Sequence, residues 1–368
     1  MQRPGAVQLQ TLNPDLSQPR WLGAIGNVAG LVYSDSMPGG NDTLSCTLQM
    51  QPGQPDIAIE PGRVIRAYQG ARWIWEGILA APQAVAQGWK LSAKGAGQYG
   101  ANFVALDAAG FVNADTAIQG AISRGLRWLD AGVSNSGMWL SQPPQNAGIY
   151  IDDWLNQITG GGAFTWHVGP WNRLAVTQIP STVTRLLVAT APASPTLGGY
   201  FNALYAYFQD TKDSASGPAD HDVAETENDA SIAKHGRLEA CWDISSVGQM
   251  TSGQAAAAAA AVLSRYNAAS FKTAFTISPG QYLTPGGTPV NLATERAGEV
   301  ARLLLTDGGY GGQVAPTVAI TFPVGKFEYD DDRVVGQVTP FQNVRDDLSS
   351  MLSAVANILQ PRTTPTGG

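Results

Sequence analysis

Short alternating segments separated by glycine and proline constrain this chain more than any other feature of its sequence. Residues 63–79, RVIRAYQGARWIWEGIL, give two strands around Gly70, and residues 44–50 alternate in the same way. Residues 89–95 place Trp89, Leu91 and Ala93 on one face. Alternation with a period of two is typical of a strand with one buried face. Close spacing of such strands predicts a small barrel or sandwich, and 42 glycines and 23 prolines supply its turns.

Four segments have helical spacing instead. Residues 113–123 and 149–162 predict short helices, and the second is followed by a predicted hairpin of FTWHV and RLAVTQI around GPWN. A capping-box pattern predicts an alanine-rich helix over 252–267. The last helix, within 343–361, has an apolar stripe that must pack against its own domain or a neighbouring subunit: Val344, Leu348, Leu352, Val355 and Leu359.

A short motif occurs twice. Gly62-x-Val64-x-Arg66 and Gly298-x-Val300-x-Arg302 each begin an apolar strand that runs into a glycine turn and a second strand. The repetition indicates an internal duplication. We therefore expect a mainly β fold with short helices, in which two similar β-barrel domains flank a helix-plus-hairpin insert. The predicted divisions are a first barrel at 1–100, an α+β insert at 101–200, a second barrel at 201–342 with a long mobile loop at 211–229, and a C-terminal helix and tail at 343–368.

Charge and hydropathy narrow the possible functions. The formal net charge is −7, charged residues are 14% of the chain, and no run of lysine and arginine occurs, so we expect no sequence-specific nucleic-acid binding. The start, MQRPGAVQLQ, has no apolar signal segment, and the alanine run is too short and too weakly hydrophobic to span a bilayer. These features predict a soluble protein made in a cytoplasm, without stable membrane insertion.

Several motifs suggest chemistry at first sight. The spacing Gly95-x-Gly97-x-x-Gly100 matches a dinucleotide fingerprint, but no helical stripe and no repeated βαβ pattern follow it, so a glycine-rich turn is the better interpretation. The three histidines, His167, His221 and His235, have no metal-ligand spacing. Carboxylates around His221 lack the ordered pattern of a calcium loop, and the acids at 330–332 predict a turn between two strands.

Residues 231–245, SIAKHGRLEACWDIS, combine a histidine and a cysteine. The alternation of Leu238, Ala240, Trp242 and Ile244 predicts a half-buried strand, with His235 and Gly236 forming the turn into it. Cys46 and Cys241 are far apart in sequence; they could form one bridge, but two buried thiols that behave as small hydrophobic side chains are the simpler interpretation. We predict no catalytic, cofactor-binding or metal-binding residue, and no cofactor.

The third segment, which begins with NALYAYFQD at residue 202, resembles the hub proteins of phage tail tips, and the resemblance extends to most of the chain. This family includes the tail-associated hub of siphophages and the central baseplate hub of contractile tails. The resemblance rests on Asn202 leading a strand, on Ser231, Ile232 and Gly236 in a turn, on the alanine helix, and on Gly298 with Val300. The helix and hairpin of 151–176 are similar to the middle domain of that family, and WEGIL at 75–79 is similar to its first barrel.

The resemblance implies a homotrimer in which two barrels per chain make a pseudo-sixfold ring. Implied partners are tail tube and distal tail proteins, the tape measure protein, and tail fibre or spike proteins. DNA would pass through the lumen, and the location would be the virion tail tip after assembly in the bacterial cytoplasm. No lysin or receptor-binding domain follows the last helix, which argues against a cell-wall-cleaving or host-binding role.

Other hypotheses remain open at this stage. A distal tail ring protein would form a hexamer, and a host cell-wall carbohydrate-binding module would use exposed tryptophans among the ten present. Trp73, Trp75, Trp89 and Trp242 instead fit positions in strand cores. A glycosidase needs two carboxylates that carry no local sequence signature, and no motif for a peptidase or esterase nucleophile is present.

Overall fold

A computed structural model gives the fold of the chain. It describes residues 6–50, 59–105, 114–130, 150–159, 164–189, 195–196, 201–210, 221–244, 249–266, 270–271, 274–305 and 320–341. The predicted tail helix within 343–361 and the first part of the predicted loop, 211–220, lie outside these residues.

The chain divides into two compact units. Unit 1 comprises residues 1–194 and 273–341, and unit 2 comprises 195–272 and 342–368. The sequence-based division assigned 201–342 to one domain, whereas the contacts group 273–341 with the N-terminal half. Strand pairing explains the difference, because the strand Ile320–Asp330 pairs with the strand Gly26–Ser36 in the first hundred residues.

Strands dominate the described residues, and the prediction of a mainly β fold with short helices is confirmed. The helices are α1 Ala114–Ser123, α2 Ile151–Thr159, α3 Asp229–His235 and α4 Ser252–Tyr266. The strands are β1 Gln8–Leu12, β2 Arg20–Trp21, β3 Gly26–Ser36, β4 Gly39–Met50, β5 Val64–Gln69, β6 Arg72–Leu79, β7 Gln83–Val85, β8 Gly88–Gly95, β9 Leu129–Asp130, β10 Phe164–Val168, β11 Arg173–Gln178, β12 Arg185–Ala189, β13 Pro195–Thr196, β14 Ala203–Asp210, β15 His221–Glu227, β16 Glu239–Asp243, β17 Gln249–Met250, β18 Ser270–Phe271, β19 Phe275–Ile277, β20 Tyr282–Leu283, β21 Val300–Leu305, β22 Ile320–Asp330 and β23 Val335–Pro340.

Unit 1 contains an antiparallel path of nine strands. Its spatial order is β1-β5-β6-β8-β4-β3-β22-β23-β19. The first part of β22 also pairs with β21, which lies parallel to β12. The predicted pair of separate barrels is not confirmed. Strand β3 joins the N-terminal strands to the C-terminal ones, and the described strands contain no closed barrel.

The predicted helices and hairpin of the middle region form as α1, α2 and the antiparallel pair β10–β11. They pack on a core that begins in the first sheet, because Ala96 and Tyr99 belong to the same buried cluster as Trp154 and Trp166. Strand β10 also pairs with β4 at Gly39 and Gly40. The described part of the predicted insert therefore belongs to unit 1.

Unit 2 is a small sheet covered by a helix. Strand β14 lies at its centre, antiparallel to β15 and parallel to β16 and β17. Helix α4, begun by the predicted capping box of Thr251 and Gln254, packs Ala255 and Ala259 against Leu204 and Phe208. Alanine suits this face because its small side chain lets the helix approach the sheet closely.

The prediction of a mobile loop over 211–229 is wrong for its second half. Residues 221–227 form β15, and Asp229 begins α3. The acidic side chains of β15 obscured the strand in the sequence. Two of them, Glu225 and Glu227, are exposed and bind Arg237, while Ala224 packs into the core on the other face. Among the described residues, no helix is both long and apolar enough to cross a membrane.

Candidate assembly site: a repeated strand unit

The duplicated Gly-x-Val-x-Arg motif has the same backbone geometry in both places. Gly62 and Gly298 have φ of +84° and +90°, a region that favours glycine. The Gly62 amide donates to the Leu79 carbonyl, and the Leu79 amide donates to the Arg63 carbonyl, at 2.9 and 2.8 Å. The Gly298 amide donates to Val324, and the Val324 amide donates to Glu299, at 2.8 Å each. Leu79 and Val324 are therefore equivalent positions.

Three strand ladders repeat around these glycines. In the first ladder, Arg66 pairs with Glu76 on β5–β6, as Arg302 pairs with Thr321 on β21–β22. In the second, Gln83 pairs with Lys90 as Glu328 pairs with Gln337. In the third, Leu48 pairs with Trp89 on β4–β8, and Ile277 pairs with Gly336 on β19–β23. Within each ladder, residues that pair in one copy correspond to residues that pair in the other, at a fixed offset in sequence number.

A register irregularity also repeats. The pairing of β22 with β23 shifts by one residue between Val324 and Lys326. The pairing of β8 shifts by one residue at the equivalent place, between Leu79 on β6 and Gln83 on β7. A register shift of this kind is a specific feature of a strand pair and not a random irregularity. Its presence at the same place in both copies shows that chance similarity of a short motif does not explain the likeness of the two strand units. We call β4, β5, β6, β7 and β8 repeat A, and β19, β21, β22 and β23 repeat B.

The residues that carried the sequence resemblance also come together, within unit 2. The Asn202 side-chain amide, which is fully buried, donates to the Gly236 carbonyl at 2.7 Å and to the Ser231 hydroxyl at 3.3 Å. Its oxygen accepts from the Leu238 amide at 2.7 Å. Asn202 thus fixes the turn at Gly236, whose φ of +78° ends α3. The motif is structural: one buried asparagine holds the entrance to β16.

No protein-family model matches the chain, and no curated protein matches it by sequence. Solved structures do match over nearly its whole length. A tail protein of a Listeria monocytogenes prophage shares 10% identity at a TM-score of 0.60, covering 96% of this chain and 100% of that one. The 43 kDa tail protein of prophage MuSo2 from Shewanella oneidensis gives 12% and 0.57, covering 90% and 97%. A tail protein from Neisseria meningitidis gives 10% and 0.56, covering 90% and 95%.

The chain has the fold of these tail proteins. The resemblance drawn from sequence is thereby confirmed at the level of the fold.

Within this tail-protein fold, the glycine-rich motif serves packing. Residues 96–102 form a 3₁₀ helix against β4. A Cβ at Gly95 would overlap the Asn41 carbonyl oxygen, and one at Gly97 would lie 2.6 Å from the Gly39 oxygen. At Gly100 a Cβ would lie 2.8 Å from the Trp128 ring. The glycines permit close contact between backbones, as the interpretation as a turn requires.

The histidines and cysteines are dispersed. His235 is the last residue of α3, and Gly236 forms the predicted turn into β16. Both thiols are free; the prediction of burial is confirmed for Cys46 in unit 1 and is wrong for Cys241, which lies on the exposed face of β16 in unit 2. Burial raises the pKa of Cys46 to about 12, so its thiol is inert near neutral pH.

His167 contributes to a buried contact near the start of repeat B. Its Nε2 lies 2.9 Å from Oδ1 of Asp35, which also accepts from the Ala297 amide at 2.9 Å. The Asp35 side chain is 2% exposed. It ties β3 and β10 to the chain that leads into β21, so its role is to hold elements together.

Sequence reasoning missed Glu76, a buried acid of unit 1 with several polar partners. This carboxylate is fully buried on β6 and accepts from Arg66 at 2.6 Å, from Asn172 at 2.6 Å and from Arg127 at 3.2 Å. Burial lowers the pKa of Arg66, but hydrogen bonding and the charge of Glu76 outweigh it and the net shift is upward. A buried charge persists only when it is paired and hydrogen-bonded. The sole sequence signal was an acid inside an otherwise apolar strand.

Proposed function

We propose that this chain is the structural hub of a phage tail tip, assembling as a trimeric ring with pseudo-sixfold symmetry. The ring joins the hexameric tail tube or distal tail ring to a threefold fibre or spike and encloses the channel for DNA. Its partners are further copies of itself, tail tube and distal tail proteins, the tape measure protein, and fibre or spike proteins. Its role is assembly geometry.

The observation that carries the proposal is the repeated strand unit. One chain presents the same ladders twice, with the same register shift. Three copies in a closed ring therefore present six similar units while keeping threefold symmetry. A protein that joins a sixfold tube to a threefold fibre needs both properties at once. The proposal includes two similar barrels in each chain, one formed around each repeat.

Two further observations support it. The fold is shared with phage tail proteins over 90–96% of the chain. A tail-tip hub is part of the virion, so the proposal places the chain there. The net charge of −7 suits a ring around DNA, because an acidic surface does not hold phosphates.

The test is the number of subunits in the assembled particle. We expect native mass spectrometry of the purified chain, alone or mixed with tail tubes, to show three copies, and electron micrographs to show a ring with six similar densities. Six copies per ring would replace the hub with a distal tail ring protein. Monomers that never join a tail tube would refute both.

A carbohydrate-binding role gives a different outcome. Trp171 is 60% exposed and Trp21 is 42% exposed on unit 1, so both indoles are available to a sugar. Binding to host cell-wall glycan, lost on changing either tryptophan to alanine while the chain stays monomeric, would favour that role over the hub.

A further inference from the structure

Strand β3 shows how the two repeats are joined inside one chain. On one side it pairs with β4 of repeat A, and on the other side with β22 of repeat B. On the second side, Ser34, Tyr33 and Val32 of β3 stand opposite Glu328, Tyr329 and Asp330. The end of repeat A that carries β4 therefore meets the edge of repeat B that carries the last part of β22.

The equivalent edge of repeat A is β7. Its residues Gln83, Ala84 and Val85 occupy the positions of Glu328, Tyr329 and Asp330, because each set pairs in the same register with the following strand. In repeat B this edge is covered by β3. In repeat A, β8 is the single partner of β7 among the described strands. All three residues of β7 are exposed.

This edge is protected by its short length and by Pro82 directly before it, but not by charge. No charged residue occurs from 77 to 89. Val85 is 43% exposed. The uncharged backbone edge beside an exposed valine is suited to being covered by another strand-bearing surface.

The equivalent of β4 in repeat B is β19. Thr276 and Ile277 take the positions of Thr47 and Leu48, opposite equivalent residues of the next strand. In repeat A, Thr47 and Leu48 pair with Ala29 and Val28 of β3. One chain therefore carries two ends, at β7 and at β19, that correspond to the two surfaces β3 joins internally.

We propose that the β7 edge binds a second copy of this chain, at the end of repeat B that carries β19, in the arrangement that β22 and β4 have within one chain. The occupant follows from the repeat itself, since the structure contains one example of the joint. The contact uses different surfaces on the two copies, and such heterologous contacts close into rings when the rotation permits. This inference rests on the proposed ring and names its interface.

The internal joint sets the expected spacing. Ser45 and Asp330 both stand opposite Val32, on its two sides, so two strand spacings, or about 10 Å, separate them. Their equivalents between copies are Ala274 and Val85. Among the described residues no strand stands before β19 as β3 stands before β4, so the two positions are separated by about 10 Å where one strand lies between the copies and by about 5 Å where β19 and β7 pair directly. A flexible bismaleimide spans both distances, whereas a disulfide does not reach the longer one.

Crosslinking tests the joint directly. In a Cys241→Ser background, the pair Val85→Cys with Ala274→Cys is expected to give covalent dimers and trimers on a denaturing gel. Either cysteine alone gives none. The pair Ser45→Cys with Asp330→Cys is the matched control, because it bridges within one chain and adds linker mass without a ladder. Cys46 stays unreactive because it is buried.

A second variant tests the edge without new thiols. Ala84→Lys with Val85→Lys places two charges on the exposed edge, where they do not disturb the core, and we expect at least a tenfold rise in the dissociation constant of the trimer. Ser92→Lys, also exposed but on β8, is the control and leaves assembly unchanged. Circular dichroism confirms that each variant is folded.

The outcomes separate two failures. A wild-type chain that forms no ring, alone or on tail tubes, refutes the proposed function. If the wild-type chain forms the trimer, but the pair Val85→Cys with Ala274→Cys gives no crosslinked ladder and Ala84→Lys with Val85→Lys still forms the trimer unchanged, the interface is refuted and the hub role stands.

Discussion

Repeat A and repeat B have the same strand registers but different interiors. Where repeat A has the buried carboxylate Glu76 opposite Arg66, repeat B has the exposed Thr321 opposite the exposed Arg302. Where repeat A has Gly77, repeat B has the buried Phe322, which stacks on Phe275 at 5.7 Å. The strand pairing is therefore the same in the two repeats, while the side chains at equivalent positions differ.

The difference follows from what each repeat packs against. Glu76 binds Arg127 and Asn172 from the middle region, so repeat A holds the segment that lies between the two repeats in sequence. At the equivalent place, repeat B presents Thr321 and Arg302 to solvent. The same arrangement of strands therefore has a buried polar contact in repeat A and an ordinary apolar core in repeat B.

The largest effect is expected at Glu76. Glu76→Ala leaves the Arg66 and Arg127 guanidinium groups without their buried partner, and breaking such a pair costs about 3–5 kcal/mol. The equivalent change in repeat B, Thr321→Ala, is expected to stay within about 0.5 kcal/mol because that side chain is exposed. Urea unfolding of both variants measures the contrast. Equal losses of unfolding free energy would show that the two positions contribute equally to stability.

A smaller effect is expected at Gly77. A Cβ there would overlap the Lys94 carbonyl oxygen and the Trp75 ring, so Gly77→Ala is expected to destabilise unit 1 by about 1–3 kcal/mol through overpacking. Ser92→Ala on the adjacent exposed face serves as the control. An unchanged melting temperature for Gly77→Ala would mean that β6 and β8 do not approach as closely as the ladder requires.

The two motif glycines should respond alike. Both have positive φ, and a Cβ at Gly62 meets nothing within 4 Å, while one at Gly298 meets the Met37 sulfur at an ordinary 3.5 Å. Alanine at either position therefore pays mainly the left-handed backbone cost of about 1–2 kcal/mol. Thermal unfolding of the two single variants is the measurement. Losses that differ severalfold would contradict the equivalence of the repeats.

The smallest effect is expected in the labelling of the two cysteines. Cys46 stands in repeat A where Phe275 stands in repeat B, and burial raises its pKa to about 12. The folded chain is therefore expected to react with a thiol reagent at Cys241 alone, with no labelling of Cys46 as the pH rises from 7 to 9. Denaturant exposes the second thiol. Rapid labelling of Cys46 in the folded chain would show that this part of repeat A is open.

The sequence located most elements but not how they join. Alternation placed β5, β6 and β8, the capping box placed α4, and FTWHV–GPWN–RLAV placed the hairpin. Sequence reasoning failed at β15, where Glu225 and Glu227 resembled a solvated loop because their partner Arg237 lies beyond α3 in the chain and only the fold brings it beside them. It also missed Glu76, since three of the groups that surround it come from outside its own hairpin or strand.

The amino-acid sequence by itself determined the local elements and the existence of a duplication, because strand alternation, helix caps and a positive-φ glycine are properties of a few neighbouring residues. Only the tertiary structure decided that β3 fuses the two repeats into one sheet path, that the registers agree to the residue, and that β7 keeps an edge equivalent to one covered elsewhere. Those facts depend on hydrogen bonds between residues such as Tyr33 and Tyr329, which are nearly three hundred positions apart. No short-range pattern encodes such a pairing.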